Sequence, residues 1–158
     1  MTQLTIDSLV VTAPTINILQ ECSTLTAIQM LKVSMDAAAL DALTHALKAG
    51  PLQPRQLHLG CVFVPETQTR QLLHAVREWL VGPCRSLVDL CMEVRRAPFN
   101  AGTWALDLGA IASAVAEQAR RGNPCRRVQL PLSGTGNARK NLRDFVAGQG
   151  VDGVLVLG

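Results

Sequence analysis

Residues 84–94 read CRSLVDLCMEV, and this stretch decides the fold class of the chain. Its last six residues alternate, with Leu90, Met92 and Val94 apolar and the residues between them largely polar. An alternation with a period of two predicts a strand that has one apolar and one polar face. The stretches QLHLGC at 56–61 and RVQLPL at 127–132 show the same pattern. A doubly wound sheet buries both faces of its strands, so this alternation favours a sheet that is covered on one face only.

Helical segments alternate with these strands, which predicts parallel pairing through right-handed crossovers. Glycine marks the predicted helix ends, at Gly50-Pro51, Gly82-Pro83, Gly122-Asn123-Pro124 and Gly148-Gln149-Gly150. The predicted strands cover 4–11, 26–33, 55–63, 87–94, 126–132 and 152–158, with a turn or half-helix at 14–20. The predicted helices cover 37–49, 65–82, 103–121 and a segment that starts at 137, where Asp36 and Asn137 are N-cap residues.

Apolar residues at helical spacing predict which helix faces are buried. The predicted inward sets are Leu40, Leu43 and Leu47; Leu72, Leu73, Val76, Trp79 and Leu80; Leu108, Ile111, Val115 and Ala119; and Leu142, Phe145 and Val146. The middle loop 95–102 is predicted to be irregular.

The strand-plus-helix unit recurs along the chain. The first core residues of the successive units are Ile28, Leu57, Leu90, Val128 and Val154. The intervals between them are 29, 33, 38 and 26 residues. Cysteine followed by leucine precedes two of these strands, in Cys22-x-x-Leu25 and Cys84-x-x-Leu87. This pattern resembles the ribonuclease-inhibitor-type leucine-rich repeat, whose unit is about 28 residues long.

The resemblance implies a solenoid with a parallel sheet on one side and helices on the other, which binds a protein partner through its concave strand face. Where the family usually carries Asn or Cys after the strand, this chain has Val33, Val62, Arg95 and Ser133. The array is therefore divergent, and it resembles the arrays of bacterial effector proteins that are delivered into host cells. A compact three-layer α/β sandwich is the alternative architecture.

Composition limits the classes of function. A chain of 158 residues with 48% apolar residues predicts one domain, 1–158, with a substantial core. The net charge of +3 and the scarcity of aromatic residues, three Phe, two Trp and no Tyr, argue against a nucleic-acid partner. The apolar runs are too short for a membrane span, and no N-terminal signal pattern is evident. We therefore expect a cytoplasmic protein, or one delivered into a host cell if it is an effector.

The five cysteines show neither a C-x-x-C pair nor the spacing of a zinc site, so we expect reduced thiols, no metal and no cofactor. The chain ends on Val154-Leu155-Val156-Leu157-Gly158, without the polar cap that a terminal repeat normally carries. An apolar edge strand of this kind predicts either a fragment of a longer array or an edge-strand homodimer.

The polar strand face is the main candidate site. Its residues are rigidly held hydrogen-bonding groups suited to a protein surface, and they are Gln29, Gln56, His58, Asp89, Glu93, Arg127 and Gln129. His58 lies one strand from Asp89 and Cys91, but no context that would activate a nucleophile is visible. A non-enzymatic role is therefore favoured, and no catalytic residue is assigned.

The alternative function is that of a compact α/β enzyme or a phosphate- or nucleotide-binding protein. The loop 134–140 joins a predicted strand to a predicted helix, so Gly134, Gly136 and Lys140 could hold a phosphate at the start of the helix. The loop matches neither the P-loop nor the dinucleotide-binding pattern. A tight turn followed by the Asn137 cap explains the same residues without a ligand.

Overall fold

The computed structural model describes the chain except for residues 1–2, 8–9, 22–23, 50–52, 62–65, 95–98, 101–103, 124, 131, 134–136, 152 and 158. The strands are β1 (Gln3–Asp7), β2 (Val10–Val11), β3 (Ala27–Met35), β4 (Gln56–Cys61), β5 (Asp89–Val94), β6 (Phe99–Asn100), β7 (Arg127–Leu130), β8 (Leu132–Ser133) and β9 (Leu155–Leu157). The helices are α1 (Ala13–Glu21), α2 (Ala37–Ala49), α3 (Glu66–Val81), α4 (Ala105–Arg120) and α5 (Asn137–Gly148).

A parallel sheet organises the molecule. Within the described residues seven strands form this sheet, in the order β1-β3-β4-β5-β7-β9, and β2 pairs with β3 beyond the end of β1. The strands therefore lie side by side in the order in which the chain makes them, unlike a doubly wound sheet, whose strand order reverses at a switch point. Consecutive helices also contact one another, from α1 through to α5. The predicted α/β class with parallel strands is confirmed.

One face of the sheet is apolar, as the alternation predicted. On the central strands Leu57, Leu59, Leu90, Met92, Val128 and Leu130 are all at most 3% exposed. They form one hydrophobic cluster with the buried residues of all five helices. Removing each such side chain from water contributes about 1.5–3 kcal/mol, so these two inward rows are a major source of stability.

The register of the sheet confirms most of the repeat alignment. Ile28 pairs with Leu57, Leu57 with Leu90, and Leu90 with Val128. The alignment is wrong by one residue in the last unit, because Val128 pairs with Leu155 and not with Val154. Leu155 is 3% exposed and Val156 is 39% exposed. The run of four apolar residues at 154–157 contains no polar residue that could have indicated its inward face.

Helix α2 begins and packs as predicted. Its N-cap is Asp36, whose Oδ1 accepts a hydrogen bond of 2.7 Å from the backbone N–H of Ala39. Leu40, Leu43 and Leu47 are at most 1% exposed. The cap satisfies a backbone donor that the first turn leaves without a helical partner, and the leucine stripe then fixes which face is buried.

Two predicted core positions are wrong. In α4 the stripe residues Leu108, Ile111 and Val115 are buried, but Ala119 is exposed and the neighbouring Gln118 is 0% exposed. In α5 Leu142 and Val146 are buried, whereas Phe145 is 43% exposed and lies beside Gly109 of α4. In the inward set of α3, by contrast, all five side chains are at most 1% exposed.

Two side chains at the end of α4, Gln118 and Arg121, form hydrogen bonds with the end of α3 and the turn that follows it. The Gln118 amide donates hydrogen bonds to the carbonyls of Leu80 and Cys84, and Arg121 donates to those of Val81 and Gly82. The last carbonyls of a helix have no partner within the helix, so these bonds satisfy groups that would otherwise be costly to bury. They also tie one strand-helix unit to the next.

A β-bulge interrupts β3 opposite Gly60. The register shifts between Met30 and Val33, and Lys32 has a φ of 54°. A Cβ on Gly60 would lie 2.9 Å from the Met30 carbonyl oxygen. The bulge inserts a residue into the alternation, so that Met30 and Val33 are both buried while Lys32 is exposed.

Several element bounds differ from the prediction. The first predicted strand is two strands, β1 and β2, and the predicted half-helix at 14–20 is the nine-residue helix α1. Part of the loop predicted to be irregular forms β6, which pairs in parallel with β8. In the parts of the chain that the structure describes, no helix has the length and hydrophobicity needed to cross a membrane.

Candidate functional site

The outward side chains of the sheet form two rows that cross the strands. The first row contains Gln56, Asp89 and Arg127, which pair in register on β4, β5 and β7. The second row contains Gln29, His58, Cys91 and Gln129, which pair in register from β3 to β7. We call these seven residues the polar face.

A shallow depression of about 350 Å³ lies on this surface. All seven residues of the polar face line it, together with Leu57. Gln56 and Arg127 are exposed and the other five are half-buried. Neighbouring strands lie about 4.8 Å apart and the two rows lie about 7 Å apart along each strand, so the hydrogen-bonded backbone fixes the spacing of these groups.

Two hydrogen bonds order side chains on the polar face. The Arg127 guanidinium donates a bond of 2.6 Å to the amide oxygen of Gln129. On the other flank, the Thr5 hydroxyl donates a bond of 3.4 Å to the amide oxygen of Gln29. Arginine has five N–H donors, so the bond to Gln129 orients the guanidinium and leaves donors for a ligand.

The charged groups of the polar face are adjacent. Asp89 and Arg127 occupy paired positions on β5 and β7, so an acidic and a basic residue have Cα atoms one strand spacing apart. The remaining neighbours are amides, an imidazole and a thiol, so the depression offers both donors and acceptors with little net charge. A balanced set of this kind is suited to a polar macromolecular surface rather than to a highly charged ligand.

Two cysteines precede strands of the site, Cys84 before β5 and Cys125 before β7. Burial raises the pKa of the Cys84 thiol from 9.0 to about 11. The pKa of Cys125 is also raised to about 11, mainly by burial and to a smaller extent by the charge of Asp89. Since the thiolate is the nucleophile, the raised pKa lowers the reactivity of both thiols at neutral pH. The described residues contain no group of three or more His, Cys, Asp and Glu that could hold a metal ion.

The structure brings six of the seven predicted partner-binding residues together. Gln29, Gln56, His58, Asp89, Arg127 and Gln129 all line the same depression. The seventh, Glu93, pairs with Gly60 on the same sheet, but its side chain lies outside the described residues. Cys91 completes the surface, and the period of two already indicated its outward position.

The predicted phosphate loop falls largely outside the description. Gly134 and Gly136 belong to the residues that are not described, whereas Lys140 is exposed in the first turn of α5. Asn137, predicted as the cap, is the first residue of that helix.

An apolar groove on the helical side was not predicted from the sequence. A groove of about 640 Å³ lies between α4 and α5, and its lining includes Leu106, Gly109 and Phe145. Leu106 is 90% exposed. Leu106 lies off the buried stripe of α4, and this position was the signal in the sequence that could have identified the groove.

No protein-family model, curated protein or solved structure matches this chain.

Proposed function

We propose that this chain is a protein-interaction module that binds a partner protein through its polar face. The observation that carries the proposal is the convergence of six predicted side chains on one depression, where paired strands hold them at fixed spacing. Rigid presentation lowers the conformational entropy lost on binding, which favours a surface of this kind over a flexible loop.

We also propose that the fold is a leucine-rich-repeat-like solenoid. The chain-order arrangement of the strands and the contacts between consecutive helices support it. Right-handed crossovers between strands laid down in order place successive helices on the same side of a sheet. The opposite side is then available to a partner, as the outward position of the polar face requires. Delivery into a host cell stays a prediction from the resemblance alone.

Site-specific photo-crosslinking in the cells that produce the chain tests this function. A benzoylphenylalanine at Gln129 places the reactive group on the polar face, and one at the exposed Ala119 of α4 is the matched control. We expect the Gln129 probe to give a discrete adduct that disappears when Arg127→Glu is added, and the Ala119 probe to give none. Adducts from Ala119 alone, or adducts from Gln129 that ignore Arg127→Glu, would contradict the proposal.

A further inference from the structure

The depression on the polar face has a long axis. Its lining residues lie on β3, β4, β5 and β7, so it crosses four strands but only two rows. Three strand spacings extend about 14 Å, whereas the two rows are about 7 Å apart. A ligand that fills the depression therefore runs across the strands rather than along them.

The spacing of the strands selects the conformation of such a ligand. Side chains on one face of a helix recur at about 4.5 Å for positions i and i+3 and about 6.0 Å for i and i+4, values that bracket the strand spacing of about 4.8 Å. Alternate side chains of an extended peptide recur at about 6.7 Å and lose register after one or two strands. A ten-residue helix is about 15 Å long and matches the depression.

The charges define the chemistry of the partner. Asp89 and Arg127 lie in register on adjacent strands, and the Arg127 guanidinium donates a hydrogen bond to Gln129 of the second row. A helix across these strands needs a basic residue opposite Asp89 and an acidic residue opposite Arg127. One strand spacing corresponds to three or four positions of the helix, in either chain direction.

We propose that the occupant of the polar face is a helix of a partner protein that lies across β3 to β7 and carries a basic and an acidic residue three or four positions apart. This inference rests on the proposed function, because it takes the polar face as the binding surface. The basic residue pairs with Asp89 and the acidic residue pairs with Arg127. Gln29, Gln56 and Gln129 contact polar groups on the flanks of the helix.

Two display libraries panned against the full chain test the inference. One library presents a single randomised helix face on a small helical scaffold, and the other presents extended peptides that each contain proline. We expect the helix library to yield binders with opposite charges at i and i+3 or i+4. Reversal of one charge on the polar face, by Asp89→Lys or Arg127→Glu, should weaken these binders at least tenfold.

Exchange of the charges of Asp89 and Arg127 tests whether these two residues pair with opposite charges on the helix. The double variant Asp89→Lys/Arg127→Glu should bind a selected helix whose own charge pair has been exchanged, and bind it within about threefold of the original complex, since each pair then again joins opposite charges. Arg143→Glu on α5 is the matched control for a change of charge outside the polar face, and it should leave binding unchanged. Circular dichroism and thermal unfolding establish that the variants fold.

The failures are distinguishable. Extended binders that depend on Asp89 and Arg127, without helical ones, would overturn the helix while leaving the polar face as the binding surface. Helical binders that are insensitive to charge reversal but are weakened by Gln56→Ala would overturn the charge pair while leaving the helix on the polar face. If no binder from either library is weakened by Asp89→Lys, Arg127→Glu or Gln56→Ala, the proposed function itself fails. Self-association of the chain that Asp89→Lys abolishes would make a second copy the occupant instead.

Discussion

Substitution of Leu90 by alanine tests the one-sided sheet directly. Leu90 is 1% exposed and lies between Leu57 and Val128 in the inward row. Removal of three carbon atoms loses about 2.4 kcal/mol of transfer free energy. Because both neighbouring strands are fixed by backbone pairing, the site collapses little and the cavity adds to this loss. We expect the free energy of unfolding to fall by about 3–4 kcal/mol, within the range observed for buried leucine.

Urea unfolding followed by circular dichroism measures this change, and a thermal scan should show the midpoint lowered by about 10 °C. The matched control is Gln129→Ala, which truncates an outward side chain of the neighbouring strand and should lower the free energy of unfolding by less than about 0.5 kcal/mol. Comparable losses for the two variants would refute the reasoning, because they would mean that the polar face is covered as tightly as the core. Leu90→Asp should prevent folding, since it buries an unpaired charge.

Changes at three sites, Gly60, Lys32 and Cys84, test local features. Gly60→Ala should destabilise the fold by about 1–3 kcal/mol, because its Cβ would lie 2.9 Å from the Met30 carbonyl oxygen. Lys32→Gly should stabilise the fold by up to about 1 kcal/mol, because glycine adopts the left-handed φ of 54° without strain. Lys32→Ala should give no such gain. Urea unfolding measures the changes at Gly60 and at Lys32. Burial raises the pKa of Cys84 from 9.0 to about 11. The folded state therefore holds this proton more tightly than the unfolded chain, and the resulting stabilisation is fully present below pH 9 and is lost as the pH rises towards 11. The loss due to Cys84 should reach about 2–3 kcal/mol in unfolding measured across that range. Cys84→Ala should remove this part of the loss and leave the part due to Cys125, whose pKa is raised to a similar value.

Local patterns accounted for the parts of the fold that depend on neighbouring residues. The alternation around Leu57 and Leu90 is a property of a single strand, and the Asp36 cap is a property of a single turn. Gln118 was missed because its burial depends on carbonyls that lie 34 and 38 residues earlier in the chain. The β6–β8 pair was missed because two-residue strands carry no periodicity, and the exposure of Phe145 depends on how α5 meets α4.

The candidate site was predictable to the extent that the repeats aligned. The order Ile28, Leu57, Leu90, Val128 gave the correct register, so the outward residues of β3 to β7 could be placed next to one another from the sequence. The alternation of polar and apolar residues stops at the bulge around Lys32 and in the apolar run at 154–157. The predicted alignment is wrong by one residue in that run, where Leu155 and not Val154 pairs with Val128. The side-chain bond between Arg127 and Gln129 could not be predicted, since its geometry depends on rotamers.

Inward and outward residues alternate one by one along the central strands, so each outward binding residue is joined directly to buried core residues. The rigidity supplied by Leu90 and its neighbours extends directly to Asp89, so the carboxylate loses little further freedom on binding. Long amide side chains such as Gln56 must still be ordered, at about 0.5–1.5 kcal/mol each. Arg127 is already oriented by Gln129, and arginine is among the residues enriched at the energetic centres of interfaces. Affinity should therefore concentrate on the Asp89 and Arg127 pair, while the surrounding amides exclude water and set the shape of the contact.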